Sequence, residues 1–158
     1  MLRPIAACCL LIGACQAFAA GVSGPVRKDV LDAIRPAAAA MAGQPLRIKV
    51  RILNVDRGWA LLIGESQTPA GEEPDWTLSE ECDNGLDKGL FALAHLVEGH
   101  WKVTHLDMCE GDPPWEEPRF YDGLDLPCGI YKGVPSIYTD KPIDLCRAHQ
   151  AGQARRRP

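Results

Sequence analysis

The sequence predicts an α+β fold: an N-terminal helix packed on a four-stranded antiparallel sheet of two hairpins, followed by an irregular, disulfide-tied C-terminal tail. Three observations support this prediction. Helical periodicity after residue 25 gives way to alternation of apolar and basic side chains in residues 46–52. A second alternating segment begins near residue 90, and four cysteines remain once an N-terminal export signal is removed.

Residues 1–20 have the three parts of a cleaved secretory signal. Arg3 supplies a positive charge, residues 5–14 form a short uncharged run, and Ala17 and Ala19 fit a cleavage site just beyond them, before Ala20 or Gly21. This run is shorter than the roughly 20 apolar residues of a spanning helix. We therefore expect a periplasmic or secreted protein without a transmembrane segment in the mature chain.

A second way of processing the signal is also open. The sequence Leu-Ile-Gly-Ala-Cys at residues 11–15 resembles a bacterial lipobox, in which Cys15 would be lipidated and become the new N-terminus. The chain is then either released or held by a lipid anchor, and the sequence leaves both possibilities open.

The first predicted element of the mature chain is a helix that starts near Pro25. Val30 and Ile34 fall on one face at helical spacing. Pro36 lacks an N–H group and clashes with the preceding turn, so it predicts a kink or a restart. Gly43 marks the end of the helix.

The first hairpin spans residues 46–66. Ile48, Val50 and Ile52 are expected on one apolar face, with basic residues on the other. A turn at residues 56–58 leads into a return strand that starts at Trp59. Because such a sheet needs a cover over its apolar face, the N-terminal helix is expected to pack there.

The second hairpin is predicted around a two-residue turn at residues 98–99. This turn determines the register of the strands and brings the apolar residues together. The predicted pairs are Val97 with His100, Leu96 with Trp101, and Ala94 with Val103. Extended without interruption, the same register places His105 opposite Ala92, on the face that His95 does not occupy.

Cysteine usage favours an oxidising compartment. Three of the seven cysteines lie in the signal, and the other four are Cys82, Cys109, Cys128 and Cys146. An even number in an exported chain favours two disulfides. Three pairings are possible, and we prefer Cys82–Cys109 with Cys128–Cys146.

Regular periodicity fades after residue 110. We expect one domain over residues 21–150, ending in an irregular tail, and a basic disordered segment at residues 151–158. The chain carries a net charge of −4, so we expect no nucleic-acid partner.

Candidate sites for chemistry are few. His95, His100 and His105 do not converge in the predicted register, and Cys146-x-x-His149 is better explained by a disulfide. The sequence contains no nucleophile elbow, zinc-protease helix or phosphate-binding loop. We therefore expect neither an enzyme nor a cofactor or metal.

Aromatic residues in irregular segments are the candidate recognition surface. They are Trp76, Trp115 and Tyr121. For Trp76 and Trp115 an equal alternative is that they fill the core beneath loops.

The order of a helix followed by two Gly-Trp hairpins, over residues 26–115, resembles cystatin-like and nuclear-transport-factor-like folds and small exported bacterial proteins of unassigned function. The resemblance implies a helix cradled by a curved sheet and carries no active site. The expected disulfides, the aromatic residues in loops and the acidic charge, without a catalytic nucleophile, favour a non-catalytic binding, inhibitor or envelope accessory protein with a protein partner, which would use its loops and the acidic connection at residues 65–89 as its surface. The alternative is a small-ligand carrier or enzyme that uses the concave face, with His105 and Asp107 as pocket residues.

Overall fold

The computed structural model describes residues 22, 24–82, 87–109, 126–136 and 141–156. The main elements are α1 (Pro25–Met41), β1 (Arg47–Asp56), β2 (Trp59–Gln67), β3 (Gly89–Val97), β4 (His100–Met108) and α2 (Pro142–Arg156). Among the described residues, short 3₁₀ helices at Trp76–Leu78 and Cys128–Tyr131 lie in the connections. The strands form one antiparallel sheet in the order β1-β2-β3-β4. The predicted α+β class, with a helix on a four-stranded sheet, is confirmed.

Helix α1 packs on the sheet through the face that the periodicity predicts. Val30, Ile34 and Ala38 are completely buried in the same apolar cluster as residues of all four strands. The helix runs without interruption through Pro36, and the kink expected there stays a prediction. It ends before Gly43, whose φ of +65° favours glycine, and where an added Cβ would lie 2.0 Å from the carbonyl oxygen of Leu78.

Because β1 contains a β-bulge, side chains of the first hairpin beyond the bulge lie on the opposite face from the one predicted. The register shifts between Val50 and Ile52, so an extra residue, Arg51, lies in β1. As a result Ile52 turns away from α1 and packs in the cluster on the opposite face, while Leu53 faces the helix. The expectation that Ile52 shares a face with Ile48 was therefore wrong, because one inserted residue reverses the alternation beyond it.

The second hairpin has the turn-proximal pairs that a two-residue loop requires. Val97 pairs with His100, Leu96 with Trp101 and Ala94 with Val103. A register shift between Leu93 and Ala94 then places His105 opposite Leu93, so the predicted pairing with Ala92 was wrong. His105 lies on the same face of the sheet as His95, the face turned away from α1.

Both faces of the sheet are covered. One face packs against α1, and the other packs against the segment that follows residue 125. Leu61 and Leu93 of the central strands are fully buried against Ile130 and Tyr131. The continuous apolar run Trp-Ala-Leu-Leu-Ile at residues 59–63 has the composition of a strand buried on both sides.

The prediction of an irregular C-terminal tail was wrong for residues 142–156, which form α2. Pro142 at the helix start and Asp144 in the first turn suit a helix N-terminus. The helix extends to Arg156 and therefore includes most of the segment expected to be a disordered tail. Helix α2 packs on the core through few side chains, among them Ile143, Leu145 and Cys146. Its sequence therefore shows only a weak apolar periodicity.

Two disulfides hold the structure in the preferred pairing. Cys82 is bonded to Cys109 and Cys128 to Cys146. The first ties the connection before β3 to the end of β4. The second joins the 3₁₀ helix at Cys128–Tyr131 to α2, so each bond secures a segment that lies outside the sheet. Two disulfides are typical of proteins that function outside the cytoplasm.

Candidate binding site

A buried carboxylate lies where β1 and β2 run side by side. Glu65 of β2 is only 5% exposed, and it pairs with Lys49 of β1. Its carboxylate accepts a hydrogen bond from the Arg51 guanidinium and another from Lys49 Nζ at 3.3 Å. Lys88 Nζ lies 3.9 Å from the same carboxylate. Three cations therefore converge on one nearly buried acid.

Strand β1, strand β2 and the connection before β3 bring these side chains together. Arg47 and Lys49 are alternate residues on one face of β1, and the bulge leaves Arg51 on that face. Lys88 precedes β3, where its carbonyl accepts the N–H of Ser66 at 2.7 Å and so fixes the backbone beside Glu65. We call Arg47, Lys49, Arg51 and Lys88 the cationic cluster.

The cationic cluster carries more positive charge than Glu65 neutralises. Arg47 donates to the neutral Oε1 of Gln67 at 3.0 Å. The cluster residues bound to Glu65 keep much of their surface in water: the side chains of Lys49, Arg51 and Lys88 are 58%, 64% and 43% exposed. A chain of net charge −4 thus displays a compact basic surface at one end of its sheet.

The electrostatic field of the cluster acts on Glu65. The hydrogen bond from Arg51, together with that from Lys49 and the attraction of both cations, holds the pKa of the Glu65 carboxyl below its ordinary value of 4.5. Glu65 is therefore ionised at neutral pH, and it positions the side-chain ends of the cations around itself.

This shifted pKa predicts a pH-dependent contribution to stability. A carboxyl whose pKa is lower in the folded state stabilises the fold above its unfolded pKa and loses that effect as the pH falls through its folded pKa. We expect Glu65→Gln to be less stable than wild type at pH 7, and the difference to shrink below pH 4.5. Urea denaturation at both pH values measures it. A difference that is independent of pH would show that Glu65 stabilises the fold by packing alone.

His95 and His105 share the outer face of the sheet, which is the face turned away from α1, and each has its own neighbours. His95 stacks on Trp59, with ring centroids 4.2 Å apart and planes at 11°. His105 Nε2 lies 2.5 Å from Asp107 Oδ2, and its ring meets the edge of Phe91. The predicted pocket residues His105 and Asp107 thus contact each other. They lie on the face of the sheet opposite the one that α1 covers.

Metal binding gains no support from this arrangement. Within the described residues, no three His, Cys, Asp or Glu side chains are placed so that they could hold a metal ion. Cys146 is in a disulfide, and His149 of α2 contacts Gln153, with Nε2 atoms 2.6 Å apart.

None of the α-helices or 3₁₀ helices in the described part of the chain has the length and apolar character needed to cross a membrane.

Of the three aromatic residues predicted to form a recognition surface, the structure describes Trp76. Trp76 is 9% exposed and belongs to the core cluster beneath α1, as the alternative expected. Trp115, Tyr121 and the possible lipidation site Cys15 lie outside the described residues.

The cationic cluster was missed as a site, although the sequence carries part of its signal. The basic face of residues 47–51 was visible as alternation, but it has the pattern of any solvated strand face. That Glu65 is buried beneath it, and that Lys88 joins from another connection, follows only from the pairing of β1, β2 and β3.

No protein-family model, curated protein sequence or solved structure matches this chain.

Proposed function

We propose that this chain is an exported, non-catalytic binding protein that engages a partner protein in the cell envelope through its cationic cluster. The observation that carries the proposal is the convergence of Lys49, Arg51 and Lys88 on the nearly buried Glu65. Export is supported by the signal-like N-terminus and by two disulfides.

The surface suits binding because its scaffold is rigid. The sheet that carries it is packed against other segments on both faces, and the Cys82–Cys109 disulfide ties the connection that contains Lys88 to the end of β4. Glu65 holds the cation ends near one another before any partner arrives. Side chains that are already positioned lose less conformational entropy on binding, so more of their interaction energy contributes to affinity.

The packing favours a binding protein over a small-ligand carrier. The face of the sheet beneath α1 includes Leu62, Ala92 and Ala94, all completely buried in the cluster that includes the helix. A carrier that used the concave face would need space between helix and sheet at these positions. The contact of His105 with Asp107 lies on the other face and does not restore that site.

Site-specific photo-crosslinking in the producing cell tests the proposal. A photoreactive amino acid is placed at Pro45, an exposed position two residues before Arg47, so the cluster itself stays intact. The matched control position is Lys28, whose side chain is 74% exposed on α1. We expect one crosslinked product of discrete mass from position 45 and none of that mass from position 28. The proposal fails if neither position gives a product, or if both give the same ones.

A further inference from the structure

We infer that Arg47, Lys49 and Arg51 of the cationic cluster bind an acidic segment of the partner in extended conformation, added as a strand along the outer edge of β1. The inference rests on the proposed function and specifies the chemistry of the partner. It predicts a segment in which acidic and apolar residues alternate.

The edge of β1 is available for pairing in the described part of the chain. β1 is the outermost strand of the sheet, and no described strand pairs with its outer side. An edge strand presents a row of backbone N–H and C=O groups that an extended peptide can bind. The second half of β1 contacts the C-terminal segment through Asn54, which donates to the carbonyls of Ile130 and Lys132 at 2.8 and 2.7 Å. We therefore place the partner strand along the first half, residues 47–50.

The side chains of this half strand determine the partner's pattern. Arg47 and Lys49 lie on the outer face, and Arg51 follows them at the bulge. Side chains on one face of a strand are about 6.8 Å apart, and an added strand repeats the same spacing. Directly opposed residues of paired strands lie close enough for opposite charges to attract. Acidic residues at alternate positions of the partner therefore lie on the same face of the extended sheet as these cations.

The other face of the same half strand is apolar. Ile48 is buried and Val50 half-buried, and both pack in the cluster beneath α1. A partner residue opposite Ile48 or Val50 binds more favourably if its side chain is apolar. The bulge at Arg51 interrupts a regular ladder, so the paired stretch is short and its affinity depends on the charges.

The test uses capped peptides and the intact, disulfide-bonded protein. The first peptide alternates glutamate and valine over six residues, the second has the same composition with the glutamates and valines in separate blocks, and the third replaces glutamate with glutamine. Calorimetry or fluorescence anisotropy measures their affinities at low and high NaCl concentration. We expect the alternating peptide to bind tightest, binding to weaken with salt, and hydrogen exchange of the amides in residues 47–50 to slow on binding.

Variants separate the cluster from the fold. Lys49→Gln/Arg51→Gln is expected to weaken binding of the alternating peptide about tenfold. Because this variant also removes partners of Glu65, Arg47→Glu serves as a second variant, since Arg47 bonds only the neutral Gln67 among the described side chains. It too should weaken binding, while Lys28→Glu on α1 should leave binding unchanged.

The outcomes distinguish this inference from the proposed function. Equal binding of the blocked peptide, unchanged binding by both cluster variants, or binding to phosphatidylglycerol vesicles without binding to the peptide would overturn the inference. If the crosslinked product from position 45 forms in the wild type and is lost when Lys49 and Arg51 are glutamine, but the alternating peptide does not bind, the inference fails while the proposed function stands. If no crosslinked product forms in the wild-type protein, the proposed function fails.

Discussion

Replacing Cys128 and Cys146 with alanine is expected to lower the free energy of unfolding by about 3 kcal/mol, because the disulfide restricts the unfolded chain. The bond closes a loop with a sequence separation of 18. It joins two segments that cover the outer face of the sheet, and both sulfur-bearing side chains are buried there. Urea denaturation of the oxidised wild type and the double variant measures the difference.

Loss of the Cys128–Cys146 disulfide should lower local stability as well as the free energy of global unfolding. We expect amide hydrogen exchange in residues 126–136 and in α2 to accelerate more than exchange in the central strands, because the bond links those two segments directly. Cys82→Ala/Cys109→Ala provides the matched comparison. Its bond has a sequence separation of 27, and its loss should cost a similar amount, about 3.5 kcal/mol. A loss below about 1 kcal/mol for the first variant would show that packing alone holds the C-terminal segment.

Ile34→Ala is expected to destabilise the protein by about 3 kcal/mol, as is usual when a buried isoleucine becomes alanine and leaves a cavity. Ile34 has no exposed surface and lies at the centre of the face that α1 presents to the sheet. Val26→Ala is the matched control in the same helix. Val26 is 41% exposed, so its truncation should change stability by no more than about 0.5 kcal/mol.

Denaturant midpoints of the two helix variants give the comparison directly. Alanine has a higher helix propensity than either residue, so a large loss for Ile34→Ala cannot come from the helix itself. Equal and small effects of both substitutions would contradict the docking of α1 on the sheet.

Much of the fold could be predicted because it depends on short-range patterns. Val30 and Ile34 recur at helical spacing, and the Glu98-Gly99 turn determines the pairs of the second hairpin nearest to it. Cys82, Cys109, Cys128 and Cys146 form the two disulfides in the preferred pairing. The helix and the turn follow from local geometry, and the expectation of two disulfides follows from residue type, whereas their pairing was a preference among three that the sequence left open.

The two β-bulges could not be predicted from the alternation of apolar and polar residues. An extra residue at Arg51 moves Ile52 to the outer face, and a register shift beyond Ala94 brings His105 to the same face as His95. A bulge depends on which strand lies alongside, and its sequence signal is weak unless a glycine marks it. Strict alternation therefore assigned both residues to the wrong face.

The second cover of the sheet was missed for a related reason. Leu61 and Leu93 belong to apolar runs that indicate burial, but the segment that buries them, with Ile130 and Tyr131, shows no regular periodicity. Helix α2 likewise has only a weak apolar face, since it is held largely through Cys146 and a few neighbours. Irregular segments pack through side chains whose positions are determined by the sheet beneath them.

By itself the sequence determined the fold class, the elements of the sheet, the four cysteines of the domain and the expectation of export. Only the tertiary structure decided that Glu65 is buried beneath Lys49 and Arg51, with Lys88 beside them. The periodicity of a segment indicates which of its own side chains are buried away from water. A charged site is formed by residues from different segments, so it emerges only when strand pairing brings them within a few ångströms of one another.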